Sequence, residues 1–187
     1  MDRRIQKSKQ AIMNAFINLM SEMDFDSITI NKIADKANVN RGTVYLHFVD
    51  KYDLLDQCVE ANINLLLADC ASNEEVTNFT SETALLRTFE HLEQNSFFYS
   101  TMLNNRGATA FRNRLLITIQ HSLSKQFDSI SLDPDLNKEI TIQFLASAAV
   151  GLLEWWITHS MPYSASVMAE QLWSLLERVQ PVHLPAD

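Results

Sequence analysis

Asn40, Arg41, Gly42 and Thr43, followed by Tyr45, His47 and Lys51, have the types and spacing in this chain that suit chemistry at a polyanionic partner. Arg41 can present a bidentate fork to a guanine edge or pair with phosphate. Gly42 has no side chain, so a helix backbone can come close to a duplex there. Thr43 offers a methyl to thymine, or a hydroxyl to a base or phosphate. Tyr45 and His47 lie further along, where phosphate contacts are expected rather than base contacts. Lys51 follows Asp50, an N-cap candidate, and a cation beside a helix N-terminus makes a good phosphate site.

Two short helices joined by a tight turn must position these groups. Thr29 is placed to cap the first, its hydroxyl accepting from an otherwise unpaired backbone N–H. Ile30, Ile33, Ala34 and Ala37 then repeat at helical spacing and give one apolar face. Asn38 falls where the helix must stop in a left-handed residue, which Asn tolerates better than most residues other than glycine. Val39 is expected to point inward and Asn40 to cap the second helix. Val44 and Phe48 continue the inward face and leave Arg41, Gly42, Thr43, Tyr45 and His47 outside. This is the pattern of a helix-turn-helix that lays its second helix in a major groove. The plainer alternative is a pair of core helices with solvated polar edges.

The ordered set Thr29-x-x-x-Ile33-Ala34, Ala37-Asn38-Val39-Asn40-x-Gly42-Thr43-Val44-Tyr45-x-His47-Phe48-x-x-Lys51-x-x-Leu54 closely resembles the DNA-binding signature of the TetR family of transcriptional repressors. It spans about an eighth of the chain. Two departures occur: the family commonly has Gly where Asn38 stands and Ser where Asn40 stands. Both replacements keep a left-handed turn and a cap, and neither lets an operator sequence be transferred. The resemblance implies a homodimer on an inverted repeat of double-stranded DNA. Gly151 to Pro162 is also similar to the C-terminal region of some smaller members. The candidate DNA-contacting set is therefore Thr29, Asn40, Arg41, Gly42, Thr43, Tyr45, His47 and Lys51.

Composition is consistent with this. The chain has 187 residues, 47% hydrophobic and 20% charged, far from disorder, and its 3 Gly and 4 Pro disfavour a strand-and-turn architecture. An all-α fold of about nine helices is expected. The net charge of −8 is unevenly spread: residues 1–51 carry 8 Lys and Arg against 6 Asp and Glu, and the remainder 7 against 17. The reading end is thus the least acidic part, and an acidic body would favour one docking orientation. Local groups decide phosphate contact at a Debye length of roughly 8 Å. Arg3, Arg4, Lys7 and Lys9 form a basic arm that could touch phosphates or a minor groove. It could equally be a solvated helix start.

Met1-Asp2-Arg3-Arg4 leads into a mixed amphipathic segment, so no secretory leader is expected, and no run of about 18 uninterrupted apolar residues suggests a membrane span. A cytoplasmic protein follows. Cys58 and Cys70 fit neither a zinc motif nor a redox pair and read as idle thiols, with redox sensing unsupported. P-loop, GxGxxG, GxSxG, HExxH and ExxH patterns are all absent, so no metal, cofactor or enzyme activity is expected. His91, His121 and His159 fall on separate helices. Glu154 beside Trp155 and Trp156 could meet a cation, but reads more plainly as an interface edge.

Periodicity places a first helix over Ile5 to Met23 and a fourth from Lys51 to Cys70, with Tyr52, Leu55, Val59, Ile63, Leu66 and Leu67 inward. This fourth helix is expected to transmit motion to the reading helix. Asn73 to Thr80 reads as a loop, with Thr80 or Ser81 capping the fifth helix. An aromatic-rich sixth segment is expected to stop at Arg106-Gly107. A seventh helix presents Phe111, Leu115, Ile119, Leu123 and Phe127. Asp133-Pro134 is expected to open an eighth helix, apolar nearly all round, that Met161-Pro162 breaks. A ninth runs from Ser164 to Val179, and Pro181 and Pro185 mark a loose tail. Residues 1–50 are thus expected to be the DNA-binding domain, and 51–187 a regulatory and dimerisation domain. Apolar surplus on the last two helices points to a symmetric four-helix dimer contact through Ala148, Leu152, Trp156, Leu172 and Leu176. Phe89, Phe98, Met102, Phe111 and Trp155 are the candidates for an effector pocket between helices four to eight. The expected function is a ligand-responsive homodimeric repressor on a palindromic operator. The alternative of another class is a helical small-molecule-binding protein or enzyme whose helix-turn-helix is scaffold only.

Overall fold

The computed structural model describes residues 3–70, 81–105, 107–129 and 136–179. Among them are nine helices and no strand: α1 Arg3–Glu22, α2 Ile30–Ala37, α3 Arg41–His47, α4 Lys51–Cys70, α5 Glu82–Gln94, α6 Ser96–Leu103, α7 Gly107–Ser129, α8 Lys138–Thr158 and α9 Ala165–Val179. A single 3-10 turn, Phe25–Ser27, links α1 to α2. The chain divides into two compact units. One holds Met1–Asn62 with Phe97–Phe111, the other Ile63–Ser96 with Arg112–Asp187.

In the first unit α1, α2 and α3 pack on one another. Ile12, Phe16, Phe25, Ile28, Ile33, Val44 and Phe48 are all buried and form its centre. Phe16 meets Phe25 edge to face with centroids 6.2 Å apart. Such a pair is worth about 0.5–1.5 kcal/mol beyond its area. The first half of α4 adds Leu54, Leu55, Cys58 and Val59. Tyr52, expected inward, is instead exposed, and its ring lies edge-on against Phe25 at 5.2 Å. Leu54 and Cys58, on the neighbouring flank of α4, are fully buried. α6 completes the unit through buried Phe98, Tyr99 and Met102, with Tyr99 against Phe111 at 5.5 Å. Asn105 ties this segment back to α1 by donating from Nδ2 to the carbonyl of Met20 at 2.8 Å. Gly107 does not end α6 as a left-handed cap; it is the first residue of α7. A Cβ there would lie 2.9 Å from Met102 Sδ and 3.1 Å from its carbonyl oxygen, so close approach explains the glycine.

The second unit is a helical packet in which α5 lies against α9. Ser81 caps α5, its hydroxyl accepting from Ala84 N at 3.1 Å. Asn137 caps α8 by accepting from Ile140 N at 3.1 Å, so the expected start at Asp133-Pro134 gives way to Lys138, and those two residues lie outside the described ones. The expected loop over Asn73 to Thr80, and Pro181 and Pro185, lie outside them too. Leu115, Ile119, Leu123 and Phe127 are buried on α7 as their spacing requires. Phe89 packs edge to face on Trp156 at 5.2 Å, and Trp156 Nε1 donates to the carbonyl of Tyr163 at 2.9 Å. α8 ends before two consecutive left-handed residues, Ser160 (φ 59°) and Met161 (φ 52°). The carbonyl of Trp156 accepts from Met161 N at 2.8 Å across this turn.

α8 is long and apolar enough, by length and composition, to cross a membrane, with a mean hydropathy of 1.5. Its outward face carries Ile140 (69% exposed), Phe144 (59% exposed), Ala148 and Trp155.

Candidate nucleic-acid interface

The helix-turn-helix is held by backbone capping. Thr29 is extended, and its hydroxyl accepts from Lys32 N at 3.3 Å while its carbonyl accepts from Ile33 N at 3.0 Å. Asn38 is left-handed (φ 53°, ψ 48°). Val39 N then donates back to Ala34 O at 3.0 Å, and Asn38 N to Asp35 O at 3.2 Å, which closes α2 as a Schellman turn. Asn40 stands at the N-cap of α3, and its carbonyl accepts from Thr43 N at 2.8 Å. Its side chain, expected to cap, makes no capping hydrogen bond and stays exposed. An exposed amide there is available to a partner.

On α3, Val44 is buried and Phe48 follows it inward. Arg41, Gly42 and Tyr45 are exposed and Thr43 is half-buried. Arg41 and Tyr45 are paired: Nη2 donates to the phenol oxygen at 3.2 Å, and the guanidinium lies 5.4 Å from the ring centre. The pair restricts the rotamers of both, which reduces the ordering needed on contact. A Cβ at Gly42 would meet nothing within 4 Å, so nothing in the fold requires glycine there.

Two residues expected to face a phosphate backbone are held by the protein itself. His47 Nε2 lies 2.8 Å from Ser8 Oγ, and that hydroxyl donates to Ile5 O at 2.9 Å. The donor in the Ser8–His47 hydrogen bond is set by the imidazole tautomer. His47 thereby ties the end of α3 to the start of α1. Lys51 is turned inward. Its ammonium donates to the carbonyls of Phe25 (2.9 Å), Ile28 (3.1 Å) and Asp26 (3.3 Å), and lies 4.6 Å from the Phe25 ring centre. Three carbonyls and a ring satisfy this cation, so its side chain fastens α4 to the turn before α2.

Asp50 caps α4, Oδ1 accepting from Tyr52 N (2.8 Å) and Asp53 N (2.9 Å). Asp53 reaches back past the cap and accepts from Val49 N at 2.8 Å, a capping-box variant displaced by one residue. Hydrogen bonds from Gln57 and then from Val49 N hold the Asp53 carboxyl below its ordinary range. Arg3, Arg4 and Lys7 are exposed at the start of α1, whereas Lys9 is half-buried with its ammonium 5.6 Å from the Phe48 ring centre. Arg4, Ile5 and Ser8 of α1 form one wall of an open groove of about 830 Å³, and Asn38, Asn40, Thr43 and Leu46 lie on the other. Leu46, which the motif leaves unassigned, is 82% exposed. Its exposure has no signal in periodicity, because apolar residues are ordinarily assigned to the inward face.

The effector candidates fall in both units. Phe98, Met102 and Phe111 are buried in the first unit, and Phe89 is buried in the second. Trp155 is exposed, with its ring 5.5 Å from His159. Within the second unit Leu85, Phe89, Ile119, Leu153, Leu172 and Leu176 help enclose an apolar cavity of about 30 Å³. Among the interface candidates, Ala148 is exposed and Leu152 half-buried. Trp156 is 0% exposed and Leu172 is buried, so both belong to their own unit's core; Leu176 is half-buried on the cavity wall. A helix apolar on several sides gives no periodic clue to which tryptophan faces out. Cys58 is buried, and burial pushes its thiol up to about 12. The side chain of Cys70 lies outside the description. Among the described residues no cluster of three His, Cys, Asp or Glu could hold a metal ion.

An all-helical chain with a capped α2–α3 pair and a polar outward α3 defines the class of helix-turn-helix regulators. Residues 12–58 match the profile of bacterial regulatory proteins of the tetR family, and residues 80–178 match a transcriptional regulator C-terminal region of that family. The chain belongs to the TetR family of bacterial transcriptional regulators. It is 21% identical to the HTH-type regulator YxbF of Bacillus subtilis over 92% of this chain and 46% of that protein. It is 26% identical to IcaR of Staphylococcus aureus, a negative regulator of the biofilm operon icaADBC, over 45% of each. The chain thus spans about half the length of the curated relatives it matches. A TetR regulator from Streptococcus agalactiae is similar in structure, with a TM-score of 0.70, 29% identity and coverage of 94% of this chain and 96% of that one.

Proposed function

We propose that this protein is a homodimeric, effector-responsive repressor that binds a palindromic operator in double-stranded DNA in the cytoplasm. Residues 1–50 read the DNA, and 51–187 regulate and dimerise. The observation that carries the reading is the outward side of α3: Arg41, Gly42 and Tyr45 are exposed, and the fold has no use for the glycine. Thr29, Asn40 and Thr43 complete the contacting set through the caps and groove edge. His47 and Lys51 hold the reading helix in place. IcaR's role as a negative regulator supports repression.

The dimer forms through the outward side of α8, where Ile140, Phe144, Ala148 and Leu152 repeat every four residues, with Leu175 of α9 also exposed. A self-complementary patch of this kind is what a two-fold axis covers. The effector is apolar, because the cavity beside Phe89 is lined by aliphatic groups with Thr88 as a polar member. At about 30 Å³ the cavity must widen to take a ligand, since small-molecule sites run to about 300 Å³ or more. A ligand bound only by the widened state shifts the population toward it, and this is how it releases the operator.

The test is selection of bound sequences from a random duplex library, followed by mobility shifts. Wild type is expected to enrich an inverted repeat, and Arg41→Ala to weaken it by about tenfold or more, a loss of about 1–3 kcal/mol. No enrichment at low salt, together with an indifferent Arg41→Ala, overturns the proposal.

A further inference from the structure

An α-helix turns about 100° per residue. On α3 the buried Val44 marks the inward direction. The opposite direction falls between Gly42 and Leu46, which sit one turn apart and within about 20° of it. Arg41 and Tyr45 lie together on one flank, joined by their hydrogen bond. His47 lies on the other, bound to Ser8. The centre of the outward face is thus an apolar side chain. Leu46 is 82% exposed, the highest value among the large apolar side chains described. The glycine one turn before it leaves its approach clear, with nothing within 4 Å of a Cβ at that position.

In a major groove the apolar feature of the base edges is the C5-methyl group of thymine. We propose that Leu46 is a specificity-determining residue that reads a thymine methyl in each half-site. This rests on the reading of α3 as the DNA-contacting helix. Polar contacts from Arg41 and Tyr45 set the register, and Leu46 selects the base beneath the middle of the helix. An exposed leucine gains its contact only when the duplex is in place, so the protein alone gives up no packing at this position.

The enriched duplex from the selection is resynthesised with each thymine in turn replaced by uracil, which removes the methyl alone. With wild type, one position per half-site is expected to lose about fourfold in affinity, the value of one buried methyl-sized group. Leu46→Ala is expected to bind the thymine and uracil duplexes equally at that position and to melt where wild type does. Leu46→Asn is expected to select adenine there instead. Equal thymine-to-uracil ratios for wild type and Leu46→Ala at every position overturn the assignment of Leu46 and leave DNA reading by α3 standing. If wild type enriches no sequence, DNA reading fails and this assignment with it.

Discussion

α3 and α8 each display a face that their own unit does not use, and the two faces are chemically opposite. On α3 an exposed leucine stands among Arg41, Gly42, Tyr45 and half-buried Thr43, over a groove walled by Arg4. On α8 the exposed row is Ile140, Phe144, Ala148 and Trp155, without a formal charge. A polar surface with one apolar centre suits a partner that is itself charged outside and mixed at its edges. A largely apolar row, flanked by exposed Gln143 and Ser147, suits a partner with the same row. The difference shows why burial alone does not find function: both faces look like unfinished packing, and only side-chain chemistry separates a surface proposed for nucleic acid from one proposed for a second copy.

The comparison breaks first at α8. Phe144→Glu puts two carboxylates across the proposed two-fold axis, where like charges cost several kcal/mol. Operator affinity should fall by about a hundredfold or more. Sedimentation should report a monomer, with helical content by circular dichroism unchanged. A dimer that persists with full affinity would remove α8 from the interface.

Next in size is Lys51→Met. Hydrogen bonds to a charged group contribute about 1.5–3 kcal/mol, so urea denaturation should show a loss of about 2 kcal/mol. Because the ammonium faces Phe25, Asp26 and Ile28, the salt dependence of DNA binding should keep its slope. A slope reduced by about one unit would mean that Lys51 contacts phosphate after all.

Gly42→Ala sharpens the contrast between what the fold needs and what the partner needs. Alanine in place of glycine in an exposed helix should stabilise the protein by about 0.5–1 kcal/mol. Operator affinity should drop, since the added methyl occupies the approach. A gain in stability with unchanged affinity would deny close contact at this position.

The smallest effect concerns pH. The Asp53 carboxyl is held below its ordinary range by Gln57 and Val49 N, so the folded state favours its ionised form. Its contribution is complete above the unfolded value of about 4 and is withdrawn as pH falls through the lowered folded value. Asp53→Asn should flatten that acid limb of a stability–pH curve by a few tenths of a kcal/mol, the scale of exposed electrostatics. An unchanged limb would show that the capping box contributes nothing through charge.

Much of the fold could be read along the chain because its determinants are local. Thr29 and Asn38 were recognisable because few residues cap a helix or accept a left-handed backbone, and Asn38 does so at φ 53°. The inward rows of α1 and α7 follow from spacing alone. What could not be read are contacts set by residues far apart in sequence. Ser8 meets His47 across 39 positions, and Lys51 finds carbonyls 23 to 26 residues earlier. Spacing gives His47 and Lys51 outward roles because it reports which face a residue is on, not which partner reaches it first. Trp155 and Trp156 exchanged their expected environments for the related reason that a helix apolar on several sides has no preferred face in its sequence. Aromatic content does not assign the five effector candidates to a unit, and they fall in both.

The carbonyls that converge on Lys51 belong to the turn leading directly into α2. The heads of α4 and α2 therefore lack independent slack: pulling on one drags the other. One lysine is thus the pin that holds the two helix starts together.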